Sequence, residues 1–442
     1  MRAWAHHSGV CPAIEEFRMP GVFGSFFALL ASIALLYGGN TLMGTLLPVR
    51  AGQEGFSAIF VGGMGTGYFI GFILGCQLTP WLVRRVGHIR AFGAMAAIAA
   101  SSSLCFILFL NPVAWIGFRF IYGVVGAGLI MVVESWLNER AGASNRGRVL
   151  ALYTLCYIGA QIASQQLFIF IPAKDSTLFM VASIVVCLSL VPIALTTSQT
   201  PAPLRTAKLK MGPLYRTSPV ATLGCLGVGL ANGAFWSLSP LYAQGIGLST
   251  QTVGMFITAV ILGNAVLQWP IGWLSDKLDR RIPVLICFFG AATLGLALSF
   301  INGVVLTLAV AAVYGAFAQS IYAILVAHAG DRAEPEDFVS TSGGLLLLYG
   351  VGALIGALPA ATLMDLFDYH SLFWWTAAVH GGMGCYILFR MRQRPGRIEP
   401  SGEGFQPVPK STPAAVELDP RADSSPSLEE EDAEREAASR ST

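Results

Sequence analysis

Long apolar segments are the feature that most constrains the fold of this chain. About twelve of them can cross a lipid bilayer, which takes roughly 20 mainly apolar residues each. Because the hydrocarbon core contains no water to bond the peptide groups, we expect each segment to satisfy its own amides as an α-helix. The approximate spans are 24–48, 57–82, 91–110, 113–137, 148–171, 178–197, 219–243, 251–273, 283–301, 303–328, 340–364 and 370–390. The sequence therefore predicts an all-α integral membrane protein.

Composition and motifs exclude several functional classes. Only 12% of the 442 residues are charged, against about 25% in soluble domains. The net charge of +2 gives no reason to expect a nucleic-acid partner. The eight cysteines include no Cys-x-x-Cys pair, so we expect no metal site and no disulfide framework. Hydrolase and metalloprotease motifs and a phosphate-binding loop are absent from the sequence. We therefore expect neither an enzyme nor a cofactor.

Basic residues predict the orientation in the membrane. Loops on one side carry most of the arginines and lysines, whereas the opposite loops offer only Arg50 and Lys174. The basic side is expected to face the cytoplasm. An even number of spans then places both termini in the cytoplasm, and we expect a multi-pass protein of the cell (inner) membrane.

Internal repetition divides the chain into two halves. Three matches share one offset of 192 residues: Tyr122-Gly123 with Tyr314-Gly315, Glu139-Arg140-Ala141 with Asp331-Arg332-Ala333, and Tyr157 with Tyr349. We expect a cytoplasmic N-terminal segment (1–23), a six-helix bundle (24–197), a cytoplasmic linker (198–218), a second six-helix bundle (219–391) and a tail (392–442). The tail is rich in Pro, Ser and charge and ends in an acidic run, 429–432. Such a composition predicts a disordered cytoplasmic tail.

Loop motifs resemble those of the major facilitator superfamily. After the eighth span, Gly272, Leu274, Asp276, Arg280 and Arg281 fit the family pattern Gly-x-Leu-x-Asp-Lys/Arg-x-x-Arg-Arg. In the first-half copy Gly87 and Arg90 fit, but Arg85 stands where the pattern has Asp. The string from Arg119 to Ala127 is similar to the family's Arg-x-x-x-Gly-x-x-Gly-Ala motif. Further strings, such as 133–135, 145–148, 268–272 and 349–352, resemble a bacterial YcaD-like branch.

This resemblance implies a secondary carrier of a small organic solute. In such a carrier two bundles rock around a site near the midplane, and charged loop residues act as a latch. Asp276 with Arg280 or Arg281 are the expected latch in the second half, and Glu139 would substitute for the missing acid by pairing with Arg84 or Arg85. The alternative is that these loops only anchor the topology by their positive charge.

Two charged residues inside the fourth span are the main site candidates. An intramembrane guanidinium is costly. The family motif implies that Arg119 faces the central cavity, where it would bind an anionic or zwitterionic solute or tune a proton carrier. The alternative is that its side chain extends outward to the interface. Glu134 is a candidate proton carrier, or else it pairs with cytoplasmic arginines. We accordingly expect proton coupling, with the lipid bilayer and the solute as partners and a monomeric protein.

Polar residues in other spans are candidates for lining the pathway. They are Asn40, Gln161, Gln165, Asn232, Trp236, Gln268, Gln319 and Tyr322. The competing interpretation is that such amides join helices by hydrogen bonds. A second functional class also remains open, namely a membrane sensor or scaffold that binds a ligand and signals through its cytoplasmic tail.

Overall fold

Helices account for all regular secondary structure in the part of the chain that the structure describes. The computed structural model describes residues 20–195, 211–333, 337–393, 405, 410–419 and 422. In this part, 11 helices are long and apolar enough to cross a membrane. The prediction of an all-α membrane protein is therefore confirmed.

The described helices follow the order expected for two bundles. The first half contains α1 (Pro20–Gln53), α2 (Ala58–Val86), α3 (His88–Leu108), α4 (Pro112–Phe170), α5 (Thr177–Leu188) and α6 (Leu190–Ala194). The second half contains α7 (Met211–Thr217), α8 (Pro219–Gly245), α9 (Thr250–Lys277), α10 (Arg281–Leu298), α11 (Val304–Gly330), α12 (Phe338–Leu366) and α13 (Ser371–Gln393). A last short helix, α14 (Pro413–Val416), belongs to the tail.

Helix α4 contains both the fourth and the fifth predicted spans in its 59 residues. The hydroxyl of Tyr153 donates a hydrogen bond to the carboxylate of Glu134, 19 positions earlier. On a straight helix these residues would lie about 28 Å apart. Helix α4 must therefore fold back between them into two arms, of which the first, Pro112–Glu139, is one of the 11 helices able to cross a membrane.

Close helix crossings repeat the internal symmetry in three dimensions. A Cβ on Gly123 would lie 2.2 Å from the carbonyl oxygen of Tyr68, and one on Gly315 would lie 2.3 Å from that of Val260. Both members of the second pair lie 192 positions after those of the first, since 315 minus 123 equals 260 minus 68. The same offset relates the contact of Gly71 with Phe120 to that of Gly263 with Ala312. Glycine permits these backbones to approach closely.

Direct contacts close the bundle at the end that the positive-inside rule assigns to the outside, here called the outer end. The carboxylate of Asp365 in α12 accepts hydrogen bonds from the amides of Ala58 (2.8 Å) and Ile59 (2.9 Å) at the start of α2. A carboxylate at a helix N-terminus is well placed to satisfy its free amides. Nearby, the hydroxyl of Thr66 donates to the carbonyl of Leu354 at 3.0 Å. These bonds join the two halves.

The polar segments differ from the sequence expectations in two places. Residues 211–217 of the predicted linker form α7, while 196–210 lie outside the described residues. Residues 410–419 of the predicted disordered tail are placed between the halves at the opposite, inner end, and Leu418 there is fully buried. The tail's average composition conceals this short stretch of small and apolar residues, which can pack in a bundle. Residues 1–19 lie outside the described residues, and α1 already begins at Pro20.

Candidate functional site: a cavity between the two halves

A cavity of about 310 Å³ lies between the two bundles. Its wall is built from α1, α2 and α4 of the first half and from α8, α9, α11 and α12 of the second. The tail closes it at the inner end with Lys410, Ser411 and Pro413. A mostly apolar wall with a few convergent polar groups is typical of a small-molecule site.

Arg119 projects from the first arm of α4 into the cavity wall. Its Cζ atom lies 4.4 Å from the ring centre of Tyr68 and 5.9 Å from that of Tyr122. Cation–π contacts of this kind stabilise a guanidinium without supplying a negative charge. The Nη1 atom is buried and has no hydrogen-bond partner among the residues that the structure describes. The guanidinium therefore lines the cavity and can still bind an anionic group.

The other polar candidates divide into two groups. Five of them line the cavity, namely Asn40, Gln161, Trp236, Gln268 and Gln319. Gln165 lies behind the wall and donates to the hydroxyl of Thr45 at 2.9 Å, and Asn232 accepts from Gln319 at 3.2 Å. Both of these bonds join two helices, as the competing interpretation predicts. Tyr322 is buried, and its ring centre lies 5.3 Å from that of Tyr349.

Glu134 is fully buried and reaches the cavity through two tyrosines. Tyr153 donates to one of its carboxylate oxygens, so the bond of 2.8 Å between the hydroxyls of Tyr153 and Tyr37 has Tyr37 as the donor. Tyr37 lines the cavity. Thr412 of the tail donates to the second carboxylate oxygen. Among the described residues no arginine or lysine forms an ion pair with Glu134, so the expected alternative of a cytoplasmic arginine partner is not found there.

Sequence reasoning missed the tyrosines of this site. Tyr37, Tyr68, Tyr157 and Tyr349 all line the cavity. The rings of Tyr37 and Tyr157 lie 5.1 Å apart. A usable signal was present for Tyr157 and Tyr349, because they repeat at the common offset of 192. Nothing in the sequence indicated Lys410, which is far from the spans along the chain.

The second-half loop motif forms two neighbouring groups of ion pairs at the inner end. Arg280 pairs with Asp276 at 2.9 Å and with Asp331 at 2.5 Å. Arg281 pairs with Asp279 at 2.6 Å. Although burial opposes the charge of Asp279, the hydrogen bonds from Arg281 hold its pKa below the usual range. The expected contact of Asp276 with Arg280 is present, and all of these partners belong to the second half.

The tail also contacts this motif. The backbone amide of Phe405 donates to the carboxylate of Asp276 at 2.7 Å. A Cβ on Gly272 would lie 2.1 Å from the ring of Phe405. Because Gly272 has no side chain, the ring of Phe405 can pack against the helix at this point.

The first-half copy of the motif is built differently. Arg85 lies over the ring of Trp81 at 5.5 Å, Arg90 is exposed, and Gly87 adopts a φ of 85°, which favours glycine. Glu139 is exposed, and in the described part of the chain it makes no ion pair with Arg84 or Arg85. The expected substitute latch is therefore absent from this conformation.

Comparisons with known proteins agree with this architecture. The sequence model of the Major Facilitator Superfamily matches residues 3–165 and 221–422. The chain is 27% identical to the uncharacterized MFS-type transporter YcaD of Escherichia fergusonii over 366 residues, which is 82% of this chain and 94% of that protein. It is also 27% identical to YcaD of Shigella flexneri over 374 residues, with the same shares covered.

Solved structures show the same fold at low sequence identity. A point mutant of the nucleoside transporter NupG superposes with a TM-score of 0.73 at 11% identity, covering 83% of this chain and 99% of that one. A bacterial homolog of the human lysosomal transporter Spinster, in an inward-facing and occupied conformation, gives a TM-score of 0.67 at 14% identity, covering 87% and 100%. The chain therefore belongs to the Major Facilitator Superfamily of membrane transporters, within which it resembles the YcaD-like proteins.

Proposed function

We propose that this transporter carries a small organic solute with an anionic group, coupled to protons, by alternating access. The observation that carries the proposal is the guanidinium of Arg119, which lines the cavity with Nη1 buried and unpartnered in the described part of the chain. A buried charge without an opposite charge is costly. A carboxylate or phosphate in the cavity would supply that charge and gain charge-assisted hydrogen bonds. The same ion pair would then explain both how the solute is recognised and how the charge of Arg119 is tolerated in the membrane.

Glu134 is the proposed proton carrier. Tyr153 and Thr412 donate hydroxyl hydrogen bonds to it, and no cation pairs with it among the described residues, so the carboxyl group can gain or lose a proton without breaking an ion pair. The bonds from Tyr37 through Tyr153 connect it to the cavity. Protonation of Glu134 would thus change the hydrogen bonding of Tyr37 and affect a solute bound beside it, although Glu134 and the solute are not in direct contact.

The proposed working cycle starts from the conformation described above. The bonds from Asp365 to Ala58 and Ile59 close the outer end, and the tail occupies the inner end. Opening of the outer end would require these bonds to break while the inner ends of the helices approach. We place the protein as a monomer in the cell inner membrane, with both termini in the cytoplasm.

Uptake into proteoliposomes with an imposed pH gradient tests this proposal. The vesicles are exposed to a pool of carboxylates, phosphate esters, sugars and amines, and the contents are identified by mass spectrometry. Wild type is compared with Arg119→Ala, and with Arg216→Ala as a matched control, because Arg216 is exposed on α7 outside the cavity. We expect an anionic solute to accumulate with wild type and the control only.

Two outcomes would contradict the proposal. If Arg119→Ala accumulated a neutral or cationic solute at the wild-type rate, Arg119 would not be the binding site of an anionic solute. Wild-type uptake that ignores the pH gradient would remove the coupling. If no member of the pool is transported while the protein binds one of them, the sensor alternative replaces the carrier.

A further inference from the structure

The C-terminal tail is seated inside the transporter at the inner end. Five of the described tail residues have side chains that are almost completely removed from solvent, namely Thr412, Ala415, Val416, Leu418 and Asp419. An isolated tail of this composition would not bury its side chains by itself. The seat is therefore provided by the two bundles.

Contacts with the first half fix the middle of this segment. The hydroxyl of Thr412 donates to the carboxylate of Glu134, and the hydroxyls of Ser411 and Tyr153 lie 3.4 Å apart. The side-chain amide of Asn138 donates to the carbonyl of Ala414 at 2.5 Å. The tail thus covers the proposed proton carrier from the inner side.

Contacts with the second half fix both ends. The ammonium group of Lys410 donates to the backbone carbonyl (2.8 Å) and the side-chain oxygen (3.0 Å) of Gln319, a residue of the cavity wall. Phe405 binds Asp276 and covers Gly272. On the other side, Val416 and Ala422 pack against Phe338 at the start of α12. The segment therefore bridges the halves where a solute would leave.

We propose that the described tail residues 405, 410–419 and 422 form an autoinhibitory plug, which seals the inner end of the cavity and must leave before a solute or proton can pass to that side. The plug holds three elements at once, namely the proton carrier Glu134, the cavity residue Gln319 and the motif residue Asp276. The outer end is closed by contacts between the bundles, so the seated state is sealed at both ends. This goes beyond the proposed transport activity, and it can fail while that activity stands.

The ionisation of Lys410 allows the tail to bind reversibly between the bundles. Burial lowers the pKa of Lys410 to about 7. The titratable groups that face it are the thiol of Cys225, the phenols of Tyr322 and Tyr349 and the imidazole of His380. No carboxylate lies within ion-pair distance of Lys410 in the described part of the chain. Its charge is thus stabilised by ring faces and by the two oxygen acceptors of Gln319.

A native cysteine provides the reporter for the test. Cys76 of α2 lines the cavity. The other seven of the eight cysteines are replaced by serine, and the purified full-length protein in detergent is treated with a bulky, water-soluble maleimide. The labelling rate of Cys76 then measures how open the cavity is, without knowledge of the solute or of the orientation in a membrane.

Two truncations form the matched pair. Removing residues 405–442 deletes the plug, whereas removing 424–442 deletes the acidic run and keeps the plug. We expect the first truncation to raise the labelling rate of Cys76 at least tenfold and the second to leave it unchanged. Equal rates in all three proteins would overturn the proposal, and so would an equal rise in both truncations.

A point variant and a cross-link guard against misfolding of the truncated chain. In full-length Lys410→Glu a carboxylate faces the two oxygen acceptors of Gln319, so we expect the same rise in labelling. In a cysteine-free background, Asn138→Cys with Ala414→Cys should form a disulfide on mild oxidation, whereas Asn138→Cys with Glu54→Cys, at the outer end, should not. An unchanged labelling rate in Lys410→Glu, or failure of the first pair to cross-link, would overturn the plug.

The direction of the pH effect follows from Lys410. Because its pKa is lower when seated than when free in solution, the released tail binds the proton more tightly. Seating should therefore weaken as pH falls from about 10 to about 7, by up to tenfold per unit, and stay constant below that. The measurement is the labelling rate of the full-length protein divided by that of the 405–442 deletion at each pH, a ratio that cancels the ionisation of Cys76. A ratio that rises with pH, or a Lys410→Met variant with an unchanged profile, would contradict this expectation.

Discussion

The two halves share their packing but not their chemistry. Gly123 and Gly315 cross a neighbouring carbonyl at almost the same distance, 2.2 and 2.3 Å. At the same offset of 192, however, Arg119 corresponds to Ala311 and Glu134 to Val326. A close helix crossing requires a small residue, and both bundles contain such crossings. A charged binding residue, in contrast, is required in one half only. The repeat thus preserves the close helix crossings in both halves, whereas the charged residues of the site occur in the first half only.

The charged motifs at the inner end also differ between the halves, and here the buried charged residue lies in the second half. In the second half Arg280 is buried between Asp276 and Asp331. In the first half Glu139 occupies the position equivalent to Asp331, but it is exposed and has no such arginine among the described residues. The second half therefore carries the ordered inner-end network, and the tail binds to it through Asp276. The first half thus carries Arg119 and Glu134, and the second half carries the ordered ion pairs at the inner end.

The largest expected effect distinguishes the cavity walls of the two halves. Arg119→Ala should lower the initial uptake rate of the solute identified above by roughly 10- to 100-fold, because a hydrogen bond to a charged group is worth about 1.5–3 kcal/mol. Gln268→Ala, on the second-half wall, removes only a neutral group and should cost less than about tenfold. Equal losses in the two variants would show that anion recognition is shared between the halves.

Glu134 offers the next test, because its counterpart Val326 cannot carry a proton. Glu134→Gln keeps an acceptor for Tyr153 but cannot release a proton at neutral pH. We expect exchange of solute across the membrane to persist, while accumulation driven by a pH gradient is lost. Glu54→Gln serves as the control, since Glu54 pairs with Arg50 at the outer end. Gradient-driven accumulation by Glu134→Gln would assign coupling to another group.

Glycine substitutions test the shared scaffold. Gly123→Ala and Gly315→Ala each place a methyl group against a backbone carbonyl and should destabilise the protein by similar amounts, about 1–3 kcal/mol. Gly126→Ala on the same arm of α4 meets no atom within 4 Å. It should be neutral or stabilising by up to about 1 kcal/mol. Thermal unfolding in detergent measures all three, and a large difference between Gly123→Ala and Gly315→Ala would break the structural equivalence of the halves.

The last comparison concerns the two acidic residues at equivalent positions of the inner end, Asp331 and Glu139. Asp331→Asn weakens the network around buried Arg280 and should lower the free energy of unfolding by about 1–3 kcal/mol. Glu139→Gln, in the equivalent exposed position, should change it by no more than about 0.5 kcal/mol. The same unfolding assay compares them. A larger loss in Glu139→Gln would indicate a first-half network that the present conformation does not form.

Hydropathy and motif spacing predicted much of the fold and part of the site. Each span must bond its own amides in lipid, so its existence follows from local composition alone. Arg119 could be found in the same way, because a charge stands out against an apolar helix. Gln165 and Asn232 could not be separated from Asn40 and Gln161, since all are amides in apolar helices. Which of them faces the cavity depends on helix rotation, and neighbouring helices determine that.

The sequence by itself determined the membrane-spanning helices, their two-fold repetition and the single buried cation of the fourth span. These depend on composition within about 20 residues and on one constant offset. Only the tertiary structure decided that Tyr37 and Tyr153 connect Glu134 to the cavity, that Lys410 of the tail lines the cavity and that Thr412 bonds to Glu134. Those contacts join residues far apart in the chain, such as Glu134 and Thr412, which are 278 positions apart. No local pattern records such a pairing, because its free energy arises only when both bundles are assembled around the segment.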